Sequence, residues 1–275
     1  MRSDQIKEMV KSRYGKVALN NLSCCGPRKS CCGSPSGAED ISRKVGYDDR
    51  DFMAVPEGAN LGLGCGNPVA LASLKEGDMV LDLGSGAGFD AFLAAAKVGS
   101  SGRVIGVDMT SEMIEKARAN ALKSDFKNVE FRLGEIENLP VSSDEIDVII
   151  SNCVINLSPE KKRVFKEAFR VLKPGGRLMV SDLVLLKPLP ESIRQSVEAY
   201  VGCIAGASMK DDYLTAISAA GFGEVAVVAE DAYPVQLAEN DPIAWAVSDT
   251  GMALEQLKDI AVSVVSIKVS AIKPG

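Results

Sequence analysis

Between residues 79 and 182, short apolar runs alternate with segments whose apolar positions have helical spacing. The apolar runs cover residues 79–83, 104–108, 129–133, 146–151 and 177–182. The helical segments between them cover 90–98, 111–124 and 159–172. Strands that alternate with helices build parallel sheets with right-handed crossovers. The pattern therefore predicts an α/β fold: a doubly wound, mostly parallel sheet with helices on both faces.

The two ends of the chain have different patterns. Residues 4–19 predict an amphipathic helix, and residues 20–37, rich in Cys, Gly, Ser and Pro, predict a loop. Toward the C-terminus we expect helices at 192–204 and 211–220 and strands at 224–229 and 261–272. Residues 183–250 are expected to form a cap or insertion over the sheet, with a second small domain as the alternative.

The residues that follow the third helical segment are Lys173-Pro174-Gly175-Gly176. Proline cannot continue a helix and glycine often ends one. This tetrapeptide predicts a helix stop followed by a turn.

Charge and hydropathy narrow the classes of partner. The 275 residues include 31 Lys and Arg against 37 Asp and Glu, a net charge of −6. An acidic surface repels phosphate backbones, so we expect no nucleic-acid partner. The longest uncharged stretch, residues 58–74, is broken by Gly, Asn and Pro, so we expect no membrane span. Charged residues near the N-terminus argue against a signal peptide and favour a cytoplasmic protein.

Seven cysteines and no histidine set the available chemistry. A chain of this size needs no disulfide staples, so in a reducing cytosol these thiols are expected to be free, ligating or redox-active. The lack of histidine removes the commonest general base and metal ligand. Any reaction must use thiolates, carboxylates, Tyr, Lys or a cofactor.

A glycine-rich turn follows the first predicted strand. Gly84, Gly86 and Gly88 alternate with Ser85 and Ala87 before a helix. Such glycines let backbone N–H groups approach a nucleotide-like ligand at the positive end of the helix. Asp108 ends the second strand, where a carboxylate binds a ribose diol. Phe89 stands where the dinucleotide fingerprint needs its third glycine, which argues against a nicotinamide dehydrogenase.

These segments resemble motifs of class I S-adenosylmethionine-dependent methyltransferases over roughly residues 55–185. Residues 80–88 resemble the first motif, 106–109 the second, 134–140 the segment that borders the adenine, 146–152 the fourth strand and 172–176 the turn before the fifth. The resemblance implies S-adenosylmethionine as the cofactor, with Asp108 holding the ribose, Met109 packing on the adenine and Asn152 facing the methionine part. The implied cofactor-binding residues are Asp82, Gly84, Ser85, Gly86, Gly88, Asp108, Met109, Glu135, Ile136 and Asn152.

Three cysteine-containing segments resemble the arsenite methyltransferases in particular. They are residues 60–68 with Cys65, 151–157 with Cys153 and 202–207 with Cys203. Tyr14-Gly15 is similar to that family as well. The resemblance implies that the three thiols gather over the methyl donor and bind As(III). Because As(III) is thiophilic and carries a lone pair, no general base is needed for its methylation.

Four further cysteines lie in the N-terminal loop: Cys24, Cys25, Cys31 and Cys32. Adjacent thiols close a disulfide poorly, and their thiolates bind soft ions. The sequence leaves three roles open for them: arsenic capture or thiol exchange, a zinc or other soft-metal site, or no essential role.

Together these features predict three regions and one activity. Residues 1–50 form an N-terminal helix and Cys-rich arm, 51–182 the S-adenosylmethionine-binding methyltransferase core, and 183–275 a cap region that completes the sheet and the arsenic site. The expected activity is methyl transfer to thiol-bound As(III), with a thiol reductant such as thioredoxin or glutathione as a partner. Two alternatives remain: a methyltransferase for a small quinone-like or sterol-like acceptor, and a Cys-rich metal-binding or redox protein on this scaffold.

Overall fold

The computed structural model describes residues 2–20, 35–124, 126–232, 260 and 262–275, and within them seven strands form one sheet. The strands are β1 (Met79–Leu83), β2 (Arg103–Asp108), β3 (Val129–Leu133), β4 (Ile146–Asn152), β5 (Leu172–Leu185), β6 (Gly223–Ala232) and β7 (Val264–Ile272). Their spatial order is β3-β2-β1-β4-β5-β7-β6. The first five run parallel, and β7 is antiparallel to both β5 and β6. The predicted doubly wound, mostly parallel sheet is confirmed.

The strand order reverses between β1 and β4, which are adjacent in the sheet but distant in the chain. In open α/β sheets a ligand crevice forms at such a switch point, beyond the carboxyl ends of the strands. The loops after Leu83 and Asn152 therefore meet at this crevice.

Helices flank the sheet. They are α1 (Ser3–Asn20), α2 (Pro35–Lys44), α3 (Asp49–Met53), α4 (Pro68–Leu71), α5 (Phe89–Val98), α6 (Ser111–Lys123), α7 (Lys161–Val171), α8 (Glu191–Arg194), α9 (Val197–Val201) and α10 (Lys210–Ala219). Among the described residues, no helix is long and apolar enough to cross a membrane.

Both faces of the sheet are buried, as β1 shows. Val80 belongs to a core cluster with Phe92 of α5, whereas its neighbour Leu81 belongs to a second cluster with Phe165 of α7. Successive side chains of a strand point to opposite faces, so a strand covered on both sides must be apolar throughout. This is why the central strands appear in the sequence as continuous apolar runs.

Helix α1 is docked on the methyltransferase-like core rather than projecting from it. Its buried Val17 packs in a small cluster with Met113 of α6. The hydroxyl of Tyr14 donates to the carbonyl of Val201 at 3.2 Å, at the end of α9. The N-terminal helix thus bridges one crevice wall and the segment that carries Cys203.

Three element predictions were wrong in detail. The predicted loop extends to residue 37, but α2 already begins at Pro35, since proline is well tolerated in a first helical turn. The predicted turn at 173–176 lies within β5, because Leu172 pairs with Ile146 of β4. The predicted helix 192–204 is broken into α8 and α9, since Ser196 is extended and caps α9 by accepting from Ala199 N–H.

Candidate active site

The turn between β1 and α5 has a backbone that only glycine adopts without strain. Gly84, Gly86 and Gly88 have φ angles of 68°, 52° and 98°. A Cβ on Gly84 would lie 2.3 Å from a methyl of Val154, and one on Gly88 would lie 2.7 Å from the ring of Phe92. The glycines therefore serve both the turn and the close packing around it.

Three carboxyl groups meet beside this turn. Asp82 and Asp90 are buried, and Asp108 is half-buried at the end of β2. One oxygen of Asp82 (Oδ2) has no hydrogen-bond partner within the described residues. Burial, together with the charges of Asp90 and Asp108, raises the pKa of Asp82 well above its usual value. Three carboxyl groups in one crevice suit a ligand that carries positive charge, because a nearby cation favours their ionised forms.

The Asp108 carboxylate is held in place by the backbone. Its Oδ2 accepts from Gly86 N–H at 3.0 Å, and its Oδ1 accepts from Thr110 N–H at 2.8 Å. Burial raises the pKa of Asp108, while these backbone donors oppose that rise. A carboxylate oxygen has two lone-pair directions, so both oxygens keep capacity to accept from a ligand hydroxyl.

A single cavity joins most of the residues implied as cofactor-binding. Those that line it are Asp82, Gly84, Ser85, Gly86, Asp108, Met109, Ile136 and Asn152. Gly88 and Glu135 do not line it. Gly88 packs instead against the rings of Phe92 and Phe131, and Glu135 pairs with Lys7 at 2.7 Å outside the cavity. The carboxylate that lines this wall is the next acid along, Glu137.

Cys65 lies on a loop that packs directly on the sheet. Its N–H donates to the Asn152 side-chain oxygen at 3.0 Å, and its thiol donates to the Ser181 carbonyl at 3.6 Å. A Cβ on Gly64 would lie 2.4 Å from the Asn152 amide, and one on Gly66 would lie 1.8 Å from the Ser181 hydroxyl. The glycines on either side of Cys65 therefore allow the approach that brings its thiol to β4 and β5.

Cys153 and Cys203 both have the left-handed backbone, with φ of 59° and 66°. Non-glycine residues adopt this region at an energetic cost, and such residues concentrate at functional sites. The Cys153 N–H donates to the Ser181 carbonyl at 2.8 Å, and the Cys203 thiol donates to the Cys153 carbonyl at 3.0 Å. These bonds hold the two cysteines against the carboxyl ends of β4 and β5.

The three thiols come together. The sulfur of Cys153 lies within 4.8 Å of that of Cys65, and its thiol interacts with the thiols of both Cys203 and Cys65. Within the described residues all three side chains are buried and their thiols are free. Burial raises the pKa of Cys65. Interaction of the Cys153 thiol, as proton donor, with the thiols of Cys203 and Cys65, together with burial, raises the pKa of Cys153 well above its usual value. Of the three, Cys153 lines the cavity, so the thiol cluster adjoins the acidic crevice.

Asp182 is a fourth polar group at the thiol cluster. It is fully buried, and one of its oxygens and the sulfurs of Cys65 and Cys153 all lie within 4.8 Å of one another. Asn156 donates to its Oδ1 at 3.0 Å and the Tyr213 hydroxyl to its Oδ2 at 2.8 Å. Burial raises the pKa of Asp182 to about 7, and its bond from Tyr213 and the charge of Lys161 oppose that rise.

Four residues at the site were missed by the sequence analysis: Tyr47, Asp90, Asp182 and Tyr213. The Tyr47 hydroxyl donates to Asp90 at 2.6 Å, and the amide of Asn152 donates to both of them, at 2.9 Å to the Tyr47 oxygen and 3.0 Å to Asp90. Asp90 directly follows the glycine turn and Asp182 ends the predicted fifth strand, so their positions at the carboxyl edge were a usable signal. Tyr47 and Tyr213 belong to no motif, and no sequence signal indicated them.

The four N-terminal cysteines, Cys24, Cys25, Cys31 and Cys32, lie outside the described residues. Their predicted roles stay open.

Comparisons with known proteins agree with the geometry. A family model described as a methyltransferase domain matches residues 74–221. A solved arsenic(III) S-adenosylmethionine methyltransferase from Chlamydomonas reinhardtii is 32% identical, with a TM-score of 0.63, over 86% of this chain and 73% of that one. The chain belongs to the arsenite methyltransferase family. Within this family, the arsenite methyltransferase of Aquipseudomonas alcaligenes is 36% identical over 92% of this chain and 68% of its own.

A further family member, the arsenite methyltransferase of Halobacterium salinarum, is 49% identical over 83% of this chain. The match covers 60% of that relative. The chain therefore spans about three fifths of the length of this arsenite methyltransferase.

Proposed function

We propose that the protein transfers a methyl group from S-adenosylmethionine to As(III) bound by the thiols of Cys65, Cys153 and Cys203. The observation that carries the proposal is that the Cys153 thiol interacts with the thiols of Cys65 and Cys203, both far away in the sequence, at the point where Cys153 lines an acidic ligand cavity. A methyltransferase for a quinone-like or sterol-like acceptor has no use for three thiols at one pocket.

The cavity suits this methyl donor by charge and by hydrogen bonding. S-adenosylmethionine carries a sulfonium and an ammonium, and the unpartnered oxygen of Asp82 lies beside two further carboxyl groups. Ser85 also lines the cavity, and its hydroxyl has no hydrogen-bond partner in the described part of the chain. We assign Asp108 to the ribose hydroxyls, Met109 and Ile136 to the adenine, and Asn152 to the methionine end.

The thiol cluster suits a trivalent, thiophilic acceptor. Three thiolates satisfy As(III) and leave its lone pair free, so the nucleophile is the arsenic itself. S-adenosylmethionine supplies an electrophilic methyl group when bound. The residues of this chain then contribute positioning: they hold the arsenic at the cavity edge, and no side chain needs to remove a proton, which fits a chain without histidine.

The reaction needs electrons from outside the thiol site if it is to repeat. Methylation takes the lone pair of As(III) into the new As–C bond and formally oxidises the arsenic by two electrons. A dithiol that becomes a disulfide returns those two electrons, so we assign a thiol reductant such as thioredoxin or glutathione as the partner. Free thiols at Cys65, Cys153 and Cys203 suit a reducing compartment, and we place the protein in the cytoplasm.

The test is an arsenic speciation assay with labelled methyl donor, run with and without thioredoxin or glutathione. Cys65→Ser, Cys153→Ser and Cys203→Ser are each expected to abolish methylated arsenic while retaining methyl-donor affinity. Methylation at near-normal rate in the three variants would overturn the proposal. A labelled quinone-like acceptor in a parallel reaction measures the alternative activity.

A control variant tests whether the four cysteines of the N-terminal arm are needed for methylation. The full chain with Ser at Cys24, Cys25, Cys31 and Cys32 keeps the buried thiol cluster, so it is expected to methylate arsenite at saturating substrate. A loss confined to low arsenite concentrations would identify the arm as a capture site. A complete loss at saturating arsenite would contradict the assignment of the acceptor to the buried thiols.

A further inference from the structure

The thiol cluster has one donor more than As(III) requires. As(III) takes three sulfurs and keeps a lone pair, which accounts for Cys65, Cys153 and Cys203. The carboxylate of Asp182 is left over, although one of its oxygens lies within 4.8 Å of the sulfurs of Cys65 and Cys153. The proposed acceptor does not use this carboxylate. The methyl donor does not use it either, since Asp182 does not line the cavity assigned to S-adenosylmethionine, called the donor cavity below.

Asp182 has the hydrogen-bonded surroundings that are typical of a metal-ligating carboxylate. Asn156 and Tyr213 each donate to one of its oxygens and fix its orientation. Each oxygen keeps a further lone pair that can face a cation. Metal-ligating side chains are held by outer hydrogen bonds of this kind, and loss of one weakens metal affinity by about 10–100-fold.

Three donors match a tetrahedral divalent cation: the sulfurs of Cys65 and Cys153 and an oxygen of Asp182. Zinc binds four ligands at about 2.3 Å for sulfur and about 2.0–2.2 Å for a carboxylate oxygen. Tetrahedral geometry at those lengths separates two sulfurs by about 3.8 Å. The sulfurs of Cys65 and Cys153 need only a modest contraction from their limit of 4.8 Å. A solvent molecule completes the coordination, as in zinc sites with three protein ligands.

The charges of the cation and its ligands nearly cancel, as a buried site requires. Zn²⁺ would displace the two thiol protons of Cys65 and Cys153 to solvent, and these two thiolates with Asp182 carry three negative charges. With these three ligands the occupied site has a net charge of −1. Lys161, half-buried and close enough to interact with Asp182, compensates that charge.

We propose that Cys65, Cys153 and Asp182 form a binding site for a divalent thiophilic cation, with Zn²⁺ as the probe. Binding of the cation and of As(III) is mutually exclusive because both use the thiols of Cys65 and Cys153. Zinc thus inhibits methylation competitively with arsenite, and this part rests on the proposed function. Asp182 distinguishes the two occupants, since it is a ligand to the tetrahedral cation and not to three-coordinate As(III).

The experiment uses the reduced, metal-free full chain with Ser at Cys24, Cys25, Cys31 and Cys32, so that only the buried thiols can bind. Zinc affinity is measured by competition with a chromogenic chelator, and As(III) affinity by displacement of zinc. We expect one Zn²⁺ per chain. Asp182→Asn should lower the ratio of zinc affinity to As(III) affinity at least tenfold, whereas Asp78→Asn, at a half-buried ion pair with Arg177 away from the thiols, should leave the ratio unchanged.

A second variant keeps the test valid if Asp182→Asn does not fold. Tyr213→Phe removes only the hydroxyl that donates to Asp182, so it should also lower the affinity ratio, and Co²⁺ substitution should show the absorption of tetrahedral thiolate ligation in the parent chain. Absence of zinc binding, or an unchanged ratio in the folded Asp182 and Tyr213 variants, overturns the proposal. If zinc fails to bind while the three cysteines prove essential for methylation, the cation site is wrong and the proposed function stands. If zinc binds in an Asp182-dependent way and As(III) does not, the proposed function is wrong and the cation site stands.

Discussion

Asn152 accepts a hydrogen bond from the backbone N–H of Cys65 at 3.0 Å and directly precedes Cys153 in the chain. One amide side chain thus ties the loop that carries one thiol to the strand that carries another. The same side chain donates to Asp90 in the donor cavity at 3.0 Å. Asn152 therefore couples the positions of the two proposed substrates, and the geometry of methyl transfer depends on it.

We expect Asn152→Ala to reduce the turnover number for arsenite methylation by about 100-fold, since a misplacement of about 1 Å has an effect of this size. The thiols themselves remain, so As(III) binding should fall much less than turnover. Single-turnover methylation and As(III) titration measure the two effects. Asn128→Ala is the matched control, because Asn128 also bridges two backbone carbonyls, of Ala95 and Gly99, at a distance from the site. Equal turnover losses in the two variants would refute the positioning role.

Gly84→Ala and Gly175→Ala form a pair that separates backbone strain from steric clash. Both glycines have left-handed φ angles, 68° and 77°. An alanine there is strained, so the free energy of unfolding should fall by about 1–2 kcal/mol in both variants. The new methyl at residue 84 would lie 2.3 Å from Val154, whereas no atom of the described residues lies within 4 Å of the added position at residue 175. The clash with Val154 should therefore lower the free energy of unfolding of Gly84→Ala by a further ~1–3 kcal/mol and weaken methyl-donor binding.

Denaturant unfolding and calorimetric titration with S-adenosylmethionine measure these two quantities. Gly175→Ala should bind the donor as tightly as the parent chain. Donor affinity that is equally low in both variants would mean that the turn at Gly84 is not the donor site.

Lys7 anchors helix α1 to the wall of the donor cavity. Its Nζ lies 2.7 Å from Glu135 and 3.4 Å from the buried Glu137. Burial lowers the pKa of Lys7, but its hydrogen bonds and attraction to Glu135 and Glu137 outweigh this effect. The pKa of Lys7 is therefore raised above its usual value. Lys7→Met keeps most of the side-chain stem and removes the charge, so it should cost about 1–3 kcal/mol of stability and speed hydrogen exchange in α1.

Arg50→Met is the control for Lys7→Met, because the pair of Arg50 with Asp48 is exposed and solvent screens such a pair. Donor affinity should also fall in Lys7→Met, since both Lys7 and Glu137 line the cavity. If the two variants behave alike in stability and exchange, the helix is held by its apolar contacts and not by Lys7.

Asp90 should make stability depend on pH in the mildly acid range. Burial raises the pKa of this carboxyl from 3.8 to about 6 in the folded protein, against the hydrogen bonds from Tyr47 and Asn152. The folded state thus binds more protons than the unfolded state between these pH values. The stabilisation from Asp90 is therefore fully present below about pH 4 and is lost as pH rises through about 6, a change of about 3 kcal/mol.

We expect Asp90→Asn to gain about 3 kcal/mol of stability relative to the parent chain between pH 3.5 and pH 7, measured by denaturant unfolding at fixed pH steps. Tyr47→Phe removes a hydrogen bond that lowers the pKa of Asp90, so in that variant the loss of stability should move to higher pH. A stability difference between Asp90→Asn and the parent that is constant with pH would show that Asp90 does not titrate in this range.

Element types were easier to predict from the sequence than the breaks between elements. The first five strands were each placed correctly in their central residues because a strand buried on both faces is apolar throughout. The break between α8 and α9 was missed, since Ser196 caps a helix there within a segment that is helical in pattern. The extension of β5 to Leu172 was missed because pairing with Ile146 overrides the local signal of Pro174 and Gly175.

Site residues within motifs were predicted, and those outside motifs were not. The glycine turn, Asp108 and the three cysteines were each identified from their local context in the sequence. Tyr47 lies 43 residues before Asp90, and Tyr213 lies 31 residues after Asp182, yet each donates a hydrogen bond to that carboxylate. No local pattern connects such pairs, because the contact arises only when the sheet and its covering helices pack together.

The sequence by itself determined the alternation of strands and helices, the glycine turn and the presence of three cysteines in family-like segments. These are local properties: apolar periodicity, backbone freedom and side-chain chemistry. Only the tertiary structure decided that the Cys153 thiol lies against those of Cys65 and Cys203, that Asp182 lies beside Cys65 and Cys153, and that Gly88 and Glu135 do not line the cavity. Those facts depend on the parallel register that aligns the ends of β1, β4 and β5, and register is fixed by packing across the whole sheet and not by any one segment.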